Sequence, residues 1–148
     1  MINNSKFIYT IYIKATPERV WDAIIKPELT RQYWEHENIS NWKKGSQWQH
    51  VANDSKRTIK LVGEIVEITP QKLLVLTWNN PSDITESSRV AIEITSHKNG
   101  TCLSVMHNNF KSDSKMLETI KEGWPQVLSS MKSFLETGKP FITWENQT

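Results

Sequence analysis

Toward the end of the sequence one pattern repeats. Leu117, Ile120, Trp124, Val127 or Leu128, Met131, and Phe134 or Leu135 recur at spacings of three and four. That period puts them on one face of a single amphipathic helix. Asp113 or Ser114 can cap its start, and Gly138 followed by Pro140 is a stop signal. A continuous helix of this kind is roughly 35 Å long at 1.5 Å per residue. Gly123-Trp124-Pro125 interrupts the pattern. Proline removes one helical hydrogen bond and clashes with the preceding turn, which predicts a kink, or a break with a fresh start at Pro125. The half from 127 to 135 then reads as a firm core stripe, and the half from 117 to 124 as a looser flap. A rod with one long apolar face needs a large apolar surface to cover.

The preceding segments supply that surface. Residues 6–14 alternate, with Phe7, Tyr9, Ile11 and Ile13 on one face, and read as a strand. Thr16-Pro17-Glu18 is a helix start, with threonine as cap and proline at the first position. Val20, Trp21, Ile24 and Ile25 follow at helical spacing until Pro27, which ends this helix and opens a second, 27–34. Gly45-Ser46 reads as a turn between short strands, and 52–57 as a polar loop. Strands are predicted over 60–69, 73–78, 89–96 and 101–109, with a loop over 79–87. Gly63 marks a bulge or a close backbone contact. Lys98-Asn99-Gly100 is the strongest hairpin signal, because Asn-Gly supplies positive φ angles. The order predicts an α+β fold. A curved antiparallel sheet of six to seven strands wraps a long C-terminal helix, and two short helices follow the first strand.

Length and composition bound the rest. The chain has 148 residues, read as one domain over 1–148, with a core of about 6–138 and a short tail, 139–148. Hydrophobic residues make up 37% and charged residues 23%, which is globular composition. A net charge of +2, spread along the chain, is too weak a bias to argue for nucleic acid or an anionic membrane, and neither nucleic-acid binding nor membrane insertion is expected. The longest aliphatic run, 73–76, is far short of the roughly 20 residues that span a bilayer. Residues 1–10 show no basic segment followed by an apolar run, so no signal peptide is expected. The single Cys102 suits a reducing compartment, and the expected location is cytoplasmic. Seven tryptophans are many for this size. They read either as a large aromatic core or as aromatic walls of a wide cavity.

Several motifs then become familiar. Ile13-Lys14-Ala15-Thr16-Pro17-Glu18-Arg19-Val20-Trp21 resembles the opening of the START-like, or SRPBCC, superfamily. More specifically, the chain resembles the family of the activator of the heat-shock protein 90 ATPase. Gly63-Glu64-Ile65-Val66-Glu67, Gly100-Thr101-Cys102-Leu103-Ser104-Val105, and Glu122-Gly123-Trp124-Pro125-Gln126-Val127-Leu128 carry the likeness. It spans roughly residues 6 to 138, and the last segment is its most specific part. The resemblance implies a helix-grip (START/Bet v-like) fold with an apolar pocket between sheet and helix. It implies binders of lipids, sterols and polyketides, some cyclases and aromatases, and co-chaperones that carry a further N-terminal domain.

The residues expected to touch a ligand are Trp34, Trp48, Trp78, Ile92, Val105, His107, Ile120, Trp124 and Leu128. The leading expectation is a binder of a small apolar or aromatic molecule, without cofactor or metal. His107 can orient a polar group or serve as acid or base, or it is simply hydrogen-bonded into the core. An enzyme would need a second ionisable group, for which Glu64 or Glu93 are candidates; no catalytic residue is assigned. The third reading is an interaction module with a chaperone partner. Glu35-His36-Glu37 reads as a solvated loop, and His50 and His97 have no ligand-spaced partner. Trp144 suggests packing of the tail onto the body or a partner. Oligomeric state, monomer or dimer, is open.

Overall fold

The computed structural model describes residues 2–141; Trp144 lies outside them. The elements in chain order are β1 (Ile2–Asn3), β2 (Phe7–Ile13), α1 (Pro17–Ile25), α2 (Pro27–Tyr33), β3 (His36–Ser40), β4 (Gln47–Ala52), β5 (Ile59–Thr69), β6 (Leu73–Asn80), β7 (Asp83–His97), β8 (Gly100–Asn108), β9 (Phe110–Lys111) and α3 (Lys115–Thr137). Seven strands form one antiparallel sheet in the order β2-β8-β7-β6-β5-β4-β3, and β1 pairs with β9. From β3 to β8 the sheet is a meander, and β2 closes its far edge against β8. This is the α+β helix-grip arrangement that the alternation and the terminal stripe predict.

Local chemistry sets the helix ends. Thr16 Oγ1 accepts the Arg19 N–H at 3.2 Å and opens α1, which buries Val20, Trp21, Ala23 and Ile24. Lys26 is extended (φ −91°, ψ 117°), as a residue before proline prefers, and Pro27 starts α2. Ser114, not Asp113, caps α3 by accepting the Leu117 N–H at 3.1 Å. Gly138 ends that helix in the left-handed region at φ 84°. The helix runs unbroken through Pro125, so the fresh start does not occur. The carbonyl that Pro125 leaves unpaired belongs to Lys121, an exposed residue, where water can satisfy it.

Three local expectations differ from the structure. Residues 79–87 are not a loop. β6 and β7 continue into a hairpin that pairs Asn80 with Asp83. The inward positions of β7 run Glu86, Ser88, Val90, Ile92, Ile94, all buried; the first two are polar, which hides the strand. Residues 35–37 are not a solvated loop either. His36 and Glu37 begin β3, and the buried Glu37 carboxylate is neutralised by Arg31 at 3.3 Å and by Arg57. The β7–β8 turn sits one residue early. His97 pairs with Gly100, and the positive φ falls on Lys98 at 49°. Gly100 instead lies under Ile13, where a Cβ would come within 2.4 Å of the carbonyl oxygen.

At Gly63 the close backbone approach is real. A Cβ there would lie 2.0 Å from the Thr77 oxygen and 2.4 Å from Trp48 Nε1. The glycine lets the Trp48 ring N–H reach the Thr77 carbonyl at 2.7 Å. One continuous core then joins α1, α2, α3 and the inner face of the sheet.

Candidate functional site

The space between α3 and the sheet is not uniform. A cavity of about 610 Å³ opens between the N-terminal half of α3 and the β5, β6 and β7 ends. Leu61, Trp34, Trp78, Met116, Ile120, Trp124 and Val127 make its apolar wall. Lys60, Asn80, Asp83, Glu86, Lys111, Asp113, Lys115 and Thr119 supply the polar part. Deeper, toward the C-terminal half of α3, only a crevice of about 30 Å³ remains. That is room for about one water. The first volume is within the roughly 300–1,000 Å³ of ordinary small-molecule sites.

The expected contact residues divide between these two spaces. Trp34, Trp78, Ile120 and Trp124 line the large cavity. Trp48, Ile92, Val105 and Leu128 line the crevice alone, inside packed core. Trp34, Trp78 and Trp124 border both spaces and form the partition between them. Their rings are tilted, with Trp34–Trp124 centroids 5.9 Å apart and Trp78–Trp124 centroids 5.3 Å apart.

His107 lines neither space. It is fully buried behind the partition, stacked on Phe110 at 4.8 Å. Trp124 Nε1–H donates to its Nδ1 at 3.1 Å, so the ring proton sits on Nε2. That N–H donates to Ser88 Oγ at 2.8 Å, and Ser88 Oγ–H donates to the Trp78 carbonyl at 2.9 Å. Every polar atom of the ring is spent in a chain that fixes two of the three partition tryptophans. Burial pushes its pKa down to about 3, so it stays neutral at pH 7. Glu64 and Glu93 are exposed, and among the described residues no second ionisable group is hydrogen-bonded to it.

A second buried histidine was not singled out by spacing. His50 donates Nδ1–H to Asn38 Oδ1 at 2.7 Å, and Asn38 Nδ2 in turn bonds the Ile24 carbonyl. Its ring lies 4.4 Å from Trp34 and is parallel to His36 at 4.6 Å. Burial, and then His36, hold its pKa well below the usual range. The two residues are register neighbours of the β3–β4 ladder, offset by two, which only strand pairing reveals. His50 packs its ring against Trp34, whereas His107 is hydrogen-bonded to Trp124.

At the mouth, charges are mostly spent. Lys111 Nζ binds Asp83 at 2.6 Å, and this with Thr85 draws the Asp83 carboxyl down to about 2. The buried Glu86 accepts the Lys111 N–H at 3.0 Å and the Ser114 hydroxyl at 2.6 Å. It thereby sets a negative charge at the start of α3, where the helix dipole favours it. Lys60 and Lys115 make no ion pair among the described residues. Every buried side-chain nitrogen or oxygen there has a hydrogen-bond partner. Among the described residues the ring N–H groups of Trp34 and Trp78 have no hydrogen-bond partner, and both rings border the cavity and the crevice.

Comparison with known proteins fits this architecture. The sequence profile described as "Activator of Hsp90 ATPase homolog 1-like protein" matches residues 14–136. The chain belongs to this family. No curated protein matches the sequence. Among solved structures, an HSP90 activator from Plasmodium falciparum superposes with a TM-score of 0.73 at 25% identity, covering 91% of this chain and 97% of its own. The Aha1 dimer from Colwellia psychrerythraea gives 0.76 at 18% identity, covering 91% and 98%. CalU16 from Micromonospora echinospora gives 0.74 at 20% identity, covering 91% and 76%. These likenesses show that the family's sheet-and-helix frame is shared. Among the described residues of this family member, no helix is long and apolar enough to cross a membrane.

Proposed function

We propose that this protein binds one small, largely apolar molecule in the cavity beside the N-terminal half of α3. One observation carries the reading. About 610 Å³ lies open between helix and sheet, walled by three tryptophans, with buried His107 bonded to Trp124 and buried His50 packed against Trp34. Affinity comes from covering the apolar wall, at about 25 cal/mol per Å² removed from water. The single Cys102 supports a cytoplasmic setting, where thiols stay reduced. General acid–base catalysis draws no support from the interior, because His107 is neutral and fully bonded.

The test is a plug. Gly123 lines the cavity, and a Cβ added there meets nothing within 4 Å. Gly123→Phe projects a ring into the space. Native mass spectrometry of protein purified under mild conditions should find a small molecule on the wild type and none on the variant. Equal loading of both proteins would refute the reading.

A second reading has one observation in its favour. Ile8 and Tyr12, each 54% exposed, share the outer face of β2 and sit beside Met106 and Cys102 of β8. Such a patch suits a protein partner. Given the Plasmodium relative, an Hsp90-type chaperone is the partner to try. Failure of Ile8→Lys to weaken chaperone capture would remove this support.

A further inference from the structure

We infer that Glu86 is the polar anchor of the cavity, and that the occupant is an apolar molecule with a neutral hydroxyl group that donates to Glu86 Oε1. This rests on the reading of the cavity as a small-molecule site and adds the chemistry of the occupant. Glu86 is only 6% exposed, and among the described residues it is the one buried charged side chain on the cavity wall. Both of its hydrogen bonds fall on Oε2, from the Lys111 N–H at 3.0 Å and the Ser114 hydroxyl at 2.6 Å. Oε1 accepts from no described protein atom. Yet no side-chain oxygen among the described residues is both sealed from solvent and unpartnered. Oε1 is therefore open, on a residue that lines the large cavity and not the crevice. The two bonds to Oε2 hold the carboxylate in place, so a ligand meets an acceptor that needs no ordering.

What Oε1 lacks is a donor rather than a counter-charge. Glu86 stands at the start of α3, where the helix dipole offsets its charge, and the Lys111 ammonium attracts it. Over the whole wall, Lys60, Lys111 and Lys115 balance Asp83, Glu86 and Asp113. An ionised ligand gains no net opposite charge from such a lining, and it loses hydration against the apolar wall. A hydroxyl gives up much less. A ligand without a donor would strip water from a buried carboxylate oxygen and leave it unpaired, which is the more costly outcome. Strand geometry then places the rest of the molecule. Glu86 and Ser88 are alternate residues on the inner face of β7, roughly 7 Å apart at strand spacing. Ser88 is the register partner of Trp78, whose ring borders the cavity. A hydroxyl held at Glu86 thus lets the apolar body pack toward Trp78.

Three probes with one ring system test this: naphthol, its methyl ether methoxynaphthalene, and naphthylmethylammonium. They are titrated into the full chain by calorimetry at pH 7, where a phenolic hydroxyl keeps its proton. Naphthol should bind about tenfold tighter than the ether, the ratio expected for one hydrogen bond to a charged group, and tighter than the ammonium. Glu86→Gln should keep its amide oxygen on Ser114 and the Lys111 N–H, and turn its amide N–H toward the cavity. That change should weaken naphthol about tenfold and leave the ether, which only accepts, unweakened. Should the variant misfold, the three probes on the wild type decide by themselves. Equal binding of naphthol and ether overturns the inference and leaves the cavity reading standing. An equal loss of both in Glu86→Gln does the same, as does tighter binding of the ammonium. No binding of any probe overturns the cavity reading itself, and the inference with it.

Discussion

The two halves of α3 have the same period and opposite surroundings. From Val127 to Leu135 the helix is locked: Leu128, Met131 and Leu135 are buried, and the Ser130 hydroxyl bonds the Tyr33 carbonyl at 2.8 Å. From Lys115 to Trp124 it borders open space, with Thr119 and Gly123 where the other half carries bulk. β7 divides in the same way. Its inward positions are Val90, Ile92 and Ile94 beside the packed end, and Glu86 and Ser88 beside the open one. The cavity thus arises where both elements withhold apolar volume at the same end. Its wall is then stiffened by histidines placed behind it.

The largest way to break this comparison is acid. The folded pKa of His107 is depressed from 6.5 to about 3, so the unfolded chain takes up a proton first as pH falls. Its contribution is fully present above pH 6.5 and is lost on descending toward pH 3. The loss is at most about 1.4 kcal/mol per pH unit. His50 is shifted in the same direction and adds to the slope. His107 alone removes up to about 2–3 kcal/mol between pH 6.5 and 4.5. Denaturant melts across that range should show the loss, and a flat profile would mean the histidines are not buried neutral.

Smaller is the cost of removing side chains from each half. Leu128→Ala should destabilise by about 3 kcal/mol, the cost of an unfilled hole in close-packed core. Met116→Ala, at the half-buried cavity wall, should cost less than about 1 kcal/mol. Equal losses would erase the distinction between the halves. Smallest is Gly123→Ala. It removes a mid-helix glycine at a place with room for a Cβ, so stability should rise by about 0.5–1 kcal/mol. A loss would show that this half is already tightly packed.

The sequence revealed elements whose chemistry is local. The Thr16 and Ser114 caps, the Pro27 boundary and the Gly138 stop each depend on residues within a few positions. What it hid depends on partners far along the chain. Glu37 reads as loop until Arg57, twenty positions on, neutralises it. Glu86 and Ser88 read as loop until Ser114 and His107 meet them. Four of the nine expected contact residues line the large cavity, and inwardness alone could not separate them from the four around the crevice. Volume left empty is a property of all the walls together. His107 was legible as inward, but its role as a brace required Ser88 and the Trp124 ring nitrogen.

The central claim is that a ligand sits at the open end and stops at the tryptophan partition. A two-dimensional NMR spectrum that resolves indole N–H signals tests this during titration with anilinonaphthalene sulfonate, a probe that binds apolar cavities. The Trp34 and Trp78 signals should shift with one saturating curve, while Trp48, tied to Thr77 in the core, stays still. Shifts at Trp48 with Trp34 and Trp78 unmoved would put the ligand in the crevice and contradict the account.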